Sequence, residues 1–438
     1  MKSHIMTKEE TTIIVKVIDA PMGTGKTSAM INFMNETGNR RRFIFVTPFL
    51  AEGQRVIDAC PNLHFQDPQA TQIGDPKDKK VSSKLIDFKR FLRNRDNIVT
   101  THALFERFDP EAIQLIADGG YTMVMDEVPN AASKAEFSPK DAHNIMATYA
   151  DIDSSGLLSW KDTERAYWGK YDDAMKMCEI GVLWRYRDSV MLKMLPPGIF
   201  EAFDDVYLMT YMFEAQITWA YFRLFGIEYE HRYVVGNSPT TYQLTEVPQA
   251  YYMPGLTKLI NICRDPKFNL IGKGPSDLSV GWYNKEENKP LVKKVKDNVY
   301  RYFRHTQNAT ANQVLWASFR QKQKPNEPLK EMPPIFTPHG YSTGFLACNA
   351  RATNAYRARS VLAYPLNRYL APELKNFFAE HDIVIDEKQW ALSEMVQWIW
   401  RSSIRDNQSI ELYLPSSRMR ELLDNWIKQT DSDENTAA

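Results

Sequence analysis

The stretch Ala20-Pro21-Met22-Gly23-Thr24-Gly25-Lys26-Thr27 carries residue types and a spacing that suit phosphate chemistry. It fits the relaxed phosphate-loop pattern: Ala or Gly, four residues of any type, then Gly-Lys-Ser/Thr. Gly23 and Gly25 let the backbone curl so that its N–H groups face phosphate oxygens. Lys26 can reach β- and γ-phosphates, and Thr27 offers a hydroxyl to Mg²⁺. The second candidate set is Asp126-Glu127, which closes the apolar run from Tyr121 to Met125. Neighbouring residues of a strand point to opposite sides. Asp126 can therefore hold Mg²⁺ while Glu127 orients and polarises an attacking water. The third set is Gln397, Arg401 and Arg405. Their spacing puts all three on one face of a helix predicted over 394–406. The two arginines suit the charge that develops on a γ-phosphate, and the alternative is a solvated helix face.

These residues need particular elements to position them. Ile13 to Asp19 is a β-branched run that reads as a buried strand, and Ser28 to Met34 can start a helix. Phe43 to Leu50 is a second apolar run, which makes one βαβ unit and hence a parallel sheet. Thr47-Pro48 ends it where ligands bind in such sheets, although a proline that simply stops a strand reads the same way. Ser83 to Arg93 reads as an amphipathic helix. The strand Asn97 to His102 closes in Thr100-Thr101-His102, which could contact phosphates or cap the next helix. Residues 130–200 are predicted to be helical and rich in Tyr, Trp and Met. That pattern favours core over a base-stacking surface. Val206 to Tyr211 restores a strand, with Thr210 as a candidate link between nucleotide and a distant ligand.

The predicted fold class is α/β, with two RecA-like parallel-sheet domains and a helical insertion in the first. Residues 1–10 read as a tag remnant and disordered start, 11–235 as the first domain and 236–254 as a hinge. Residues 255–428 read as the second domain and 429–438 as a disordered tail. In the second domain the pattern predicts helices near 255–263 and 291–305. Strands are expected at 314–319, 343–348, 361–364 and 410–414.

Bulk properties narrow the classes. Lys+Arg and Asp+Glu are both 54, so any nucleic-acid site must be a local patch. Cys60, Cys178, Cys263 and Cys348 form no CxxC pair, which argues against zinc and for a reducing compartment. No apolar run approaches a membrane span and no signal peptide is read, so the expected location is cytoplasmic.

With the phosphate loop, Asp126-Glu127 and the Gln397/Arg401/Arg405 set in hand, the chain resembles superfamily 2 helicases. The likeness is to a phage and mobile-element branch related to viral replication-origin-binding helicases. The resemblance implies that two RecA-like domains clamp one ATP and that nucleic acid lies across both. Ala20 to Thr27 would be motif I, Thr47-Pro48 motif Ia, Thr100-Thr101-His102 motif Ib or Ic, and Asp126-Glu127 motif II. Thr210-Tyr211 would be a weak motif III, and Ser318-Phe319-Arg320 would stand at motif IV. Arg351 to Asn354, with Arg351 and Thr353 on nucleic acid, would be motif V. Gln397, Arg401 and Arg405 would be motif VI. The motif VI arginines lie four residues apart here rather than the usual three. The implied activity is ATP-dependent movement along single-stranded or forked DNA, with RNA left open, in phage or mobile-element replication. ATP and Mg²⁺ would be the cofactors and replication proteins the candidate partners. The alternatives are a translocating ATPase without strand separation and a helicase-fold recruitment module.

Overall fold

The computed structural model describes residues 13–48, 50–70, 83–164, 167, 169–321, 332–349 and 355–431. The chain divides into two compact units, residues 1–249 with 371–385, and 250–370 with 386–438.

The first unit is built on a seven-stranded sheet. Its strands are β1 (Ile14–Asp19), β2 (Arg42–Thr47), β3 (Ile98–Thr101) and β4 (Tyr121–Asp126). Between β4 and the rest of the sheet lies an insertion with strands β5 (Ala132–Lys134), β6 (Ala150–Ile152), β7 (Leu158–Trp160), β8 (Leu183–Arg187) and β9 (Val190–Met194). The sheet then continues with β10 (Asp205–Thr210), β11 (Glu228–Val235) and β12 (Gln243–Thr245). The order across it is β12-β11-β1-β10-β4-β2-β3, parallel except for β12. Its central strands are apolar nearly throughout because helices cover both faces. Phe43, Ile44, Phe45 and Val46 of β2 are all fully buried. Helix α1 (Lys26–Thr37) packs Ala29, Met30 and Met34 into the same core.

The insertion differs from the helical expectation. It holds two short helices, Pro139–Asn144 and Asp172–Glu179, but also an antiparallel sheet ordered β5-β9-β8 and the pair β6–β7. The strands of the β8–β9 hairpin each bury only part of their side chains and do so without strict alternation, so no two-residue period marks them in the sequence. Tyr149, Trp160, Tyr167 and Tyr171 pack on one another around Ala142, Ile145 and Leu158, with Tyr149 and Trp160 stacked at 5.4 Å.

The segment 371–385 also belongs to this unit, although sequence placed it in the second domain. Its helix Pro372–Ala379 lies against the insertion. Glu373 pairs with Lys134 at 2.5 Å, Glu380 with Arg187 at 2.8 Å, and the Phe377 ring meets Tyr186 edge-on. The expected hinge over 236–254 is likewise only partly a connector. Asn32 of α1 donates to the Pro239 and Tyr242 carbonyls, and β12 adds an edge strand to the sheet.

The second unit has a four-stranded parallel sheet. Its strands are β13 (Ile260–Ile262), β14 (Val314–Trp316), β15 (Val361–Ala363) and β16 (Ile410–Tyr413), in the order β13-β16-β15-β14. Helices Lys289–Arg301, Glu387–Ile399 and Ser417–Asp431 accompany it. The helix expected at 255–263 stops at Leu259 and gives way to β13. The strand expected at 343–348 is a short turn, Ser342–Gly344, with one bridge from Trp316 to Phe345. A Cβ on Gly344 would stand 2.7 Å from the Val314 carbonyl, so this backbone crosses β14 too closely for an ordinary ladder.

At the amino-terminal end of β10, Asp205 accepts hydrogen bonds from Lys16 of β1 and from Arg41, the latter at 2.6 Å. Burial alone would raise its pKa, but the two cations more than offset this and hold the carboxyl below its usual range. A depressed carboxylate pKa stabilises the fold above the unfolded value and is lost as pH falls through the folded one. Asp205→Asn should cost about 2 kcal/mol at pH 7, a charged hydrogen-bond loss. In urea titrations the gap between wild type and variant should close as pH falls below about 4.

Candidate functional site

The phosphate loop takes the backbone shape its residues predict. Gly23 and Gly25 have φ of 86° and 85°, a left-handed region that side chains disfavour. Gly25 is also the N-cap of α1. No side chain caps that terminus and no acidic residue lies in its first turn. Its N–H groups and partial positive charge are thus left for an anion. Thr24 donates its hydroxyl to the Pro21 carbonyl at 2.8 Å, which tightens the loop. The Lys26 ammonium bonds the Ala20 and Pro21 carbonyls, so the cation is stationed over the loop itself. Ala20 to Thr27 therefore form one curled cradle, with Met22 and Gly23 at its bend.

Sheet topology brings the second set alongside. β10 separates β1 from β4, in the registers Asp19↔Thr210 and Met209↔Asp126. Two strand spacings put the ends of β1 and β4 about 10 Å apart, within reach of side chains bound to one nucleotide. The strand alternation inferred for Asp126 and Glu127 does not apply. β4 ends at Asp126, and Glu127 lies beyond it with φ 58°, left-handed for a non-glycine residue. Such strain costs on the order of 1–3 kcal/mol and is concentrated at functional sites. The carboxylates are separated by this turn of the backbone, not by pleat.

Sequence reasoning missed the residues that tie the ends of β1 and β10 together. The Asp19 carboxylate accepts from the Met212 and Phe213 N–H groups at 2.7 and 2.8 Å. The Ala20 N–H donates to the Thr210 carbonyl at 3.1 Å. Gln216 bridges the Thr210 hydroxyl (2.8 Å) and the Tyr211 carbonyl (2.7 Å). Thr210 thus sits in a network touching the phosphate loop. An aspartate directly before the loop and a glutamine six residues after Thr210 were the available signals.

His102 is buried, and its Nε2 lies 3.0 Å from the Asp126 carbonyl, which joins the end of β3 to the end of β4. Thr47 and Thr100, expected on nucleic acid, are 0% and 2% exposed. Both residues line a water-sized cavity with Gln54 and Asp67, and their buried hydroxyls find no hydrogen-bond partner among the described residues. The helix Leu50–Ala59 covers them: a Cβ on Gly53 would meet Val99 at 2.6 Å. Pro48 and Thr101 remain half-exposed at the strand ends.

In the second unit the expected one-face triad is broken. Its helix ends at Ile399, Arg401 lies in the following turn, and Arg405 is in the 3₁₀ turn Ser403–Asp406. The break has a local cause. Ser402 turns extended and donates its hydroxyl to the Ile399 carbonyl at 2.6 Å, and the Ser403 N–H donates to Arg359. Gln397 donates to Ser393 at 2.9 Å on a helix buried nearly all round, so the solvated-face alternative fails as well. Arg401 is 9% exposed and Arg405 half-exposed. Arg351 and Thr353 lie outside the described residues.

The fold defines a mixed α/β protein with two parallel-sheet units, the first of which bears the glycine-shaped loop Ala20–Thr27. The family described as the YonV C-terminal Rossmann-like domain matches residues 255–427, the span of the second sheet. The chain is 33% identical over 421 residues to the SPbeta prophage-derived protein YonV of Bacillus subtilis (strain 168), covering 94% of this chain and 98% of that one. It belongs to the YonV family. Solved structures with a distant likeness include S. tokodaii Xpd4, at 11% identity, TM-score 0.44 and 94% coverage of both chains. Another is the DUF1998 helicase MrfA bound to DNA and AMPPNP, at 10% identity and TM-score 0.32, covering 95% of this chain and 48% of that one. Among the described residues no helix is long and apolar enough to cross a membrane.

A Cβ on Gly25 would stand 2.5 Å from the Tyr242 ring, whereas one on Gly23 would meet nothing within 4 Å. Both positions carry the left-handed cost, about 1–2 kcal/mol for alanine. Gly25→Ala should therefore lower the melting temperature more than Gly23→Ala. In a double-mutant cycle, Tyr242→Ala should recover part of the excess.

Proposed function

We propose that this protein hydrolyses ATP at the first unit and uses the cycle to move along single-stranded nucleic acid, as a DNA helicase or translocase of phage or mobile-element origin. The observation that carries the reading is the junction of a glycine-shaped phosphate cradle with Asp126 and Glu127, one strand apart on the same sheet edge. The prophage relative is in keeping with a mobile-element setting.

In this reading, loop N–H groups and Lys26 hold the β- and γ-phosphate oxygens. Thr27 and Asp126 are the two protein ligands available to Mg²⁺, a cation that takes its other ligands from phosphates and water. Bound there, Mg²⁺ would neutralise charge on the transferring phosphoryl group. Glu127 accepts the hydrogen bond of the attacking water and orients it in line. Thr210, Gln216 and Asp19 register changes at the phosphate loop and pass them to the loop 211–216. His102 does the same between β3 and the Asp126 carbonyl. Pro48, Thr101 and, in the second unit, Arg351 and Thr353 are assigned to the strand. Arg401 and Arg405 are assigned to charge on the γ-phosphate, with Gln397 as a positioning group for that turn.

ATP hydrolysis measured with and without a single-stranded oligonucleotide tests the reading. Wild type should hydrolyse ATP and be stimulated by the strand. Glu127→Gln should lose about 10²–10⁴-fold in rate, the worth of a positioned base, while still binding ATP. Hydrolysis that survives Glu127→Gln, or a wild type indifferent to any strand, would contradict it.

A further inference from the structure

The zero net charge of the chain conceals one strongly basic element. Between Lys289 and Arg304 there are six cationic side chains, Lys289, Lys293, Lys294, Lys296, Arg301 and Arg304, against one carboxylate, Asp297. The segment is the helix Lys289–Arg301 followed by one wider turn, Tyr302–Thr306. At 100° per residue the six cations fall within one half of the helix. The opposite half is anchored by Val295, Asn298, Val299, Tyr302 and Phe303, all buried in the second unit. Lys289, Lys293, Lys294, Arg301 and Arg304 are exposed, and Lys296 is half-exposed. Lys289 pairs with Glu286 at 2.5 Å. For the other five, no carboxylate stands within ion-pair distance among the described residues.

A solvated surface helix would interleave both signs and use its own i,i+4 pairs. This one sets six cations against a single carboxylate, Asp297, which lies on the same face, along a strip about 22 Å long at 1.5 Å of rise per residue. Six cations over that length average about one per 4.5 Å, and a polyanion with closely spaced charges complements that density. We propose that this strip is a docking surface for the phosphate backbone of nucleic acid, separate from the strand ends of the first unit. The inference rests on the strand-coupled reading above. It assigns the second unit a contact that sequence reasoning had placed only at Arg351 and Thr353. Lysines and arginines on phosphates give grip without base readout, so binding here is independent of sequence and sensitive to salt.

The test is fluorescence anisotropy with a labelled 30-base single strand, and with its duplex, across a salt series. It compares wild type with the triple variant Lys293→Gln, Lys296→Gln, Arg304→Gln. Losing three phosphate contacts should lower the slope of log K against log salt by about 2 for the single strand and about 2.7 for the duplex. Affinity at 0.1 M salt should fall by roughly tenfold or more. The control Lys293→Arg, Lys296→Arg, Arg304→Lys keeps the charge and should bind as wild type does, while strand-free ATP hydrolysis should be equal in all three proteins. A triple variant with unchanged slope and affinity overturns the docking surface and leaves the strand-coupled ATPase standing. A wild type that hydrolyses ATP but binds neither oligonucleotide overturns both the surface and the strand-coupled reading.

Discussion

The arrangement depends on how the carboxyl ends of β1 and β10 are locked together, with β4 held beside β10 by ladder pairing. Parallel ladder bonds bring them level, but the locking is done by polar groups just past the strands. Asp19 holds the two N–H groups that follow Tyr211, and Ala20 bonds the Thr210 carbonyl. An ionised carboxylate accepting two backbone N–H bonds is worth more than neutral pairs, on the order of 1.5–3 kcal/mol per charged hydrogen bond. It adds to the ladder a direct tie between the start of the glycine loop and the segment that follows β10. With it, displacement of one is felt by the other, and the Gln216 bridge extends the connection to Tyr211.

The loop itself was legible from sequence because its backbone demands are severe. Two left-handed positions leave glycine as the fitting residue, and Lys-Thr after a β-branched strand narrows the reading further. The α/β class and the order of strands and helices in the first unit followed from long apolar runs, which are poor at hiding. Less legible were features set by tertiary context. The break after Ile399 turns on one serine hydroxyl satisfying a carbonyl, and the periodicity of Gln397, Arg401 and Arg405 carries no trace of it. In the insertion, Met and aromatic residues are compatible with both periods, so the sequence does not separate helix from strand there. Its strands are defined by the antiparallel β8–β9 pairing, whose register shifts between Arg185 and Arg187.

Other differences arise where the chain crosses between units. The segment 371–385 sits within a stretch of second-unit sequence, yet its Glu373 and Glu380 find cations on the insertion of the first. Such partners are more than 190 residues distant along the chain, and no local pattern announces them. Thr47 and Thr100 show the opposite limit. Their place at strand ends was foreseen, but burial under the helix Leu50–Ala59 removes their hydroxyls from the surface. A strand running past β2 and β3 would have to be met by Thr101, Pro48 and backbone groups.

The central claim is that one nucleotide site is formed by the cradle Ala20–Thr27 together with Asp126. Equilibrium titration of a fluorescent ATP analogue, with and without Mg²⁺, tests it most directly. The account predicts saturable binding that Mg²⁺ tightens in wild type, is lost in Lys26→Ala, and loses its Mg²⁺ dependence in Asp126→Ala. Binding that is absent from wild type, or that persists unchanged in Lys26→Ala, would contradict it.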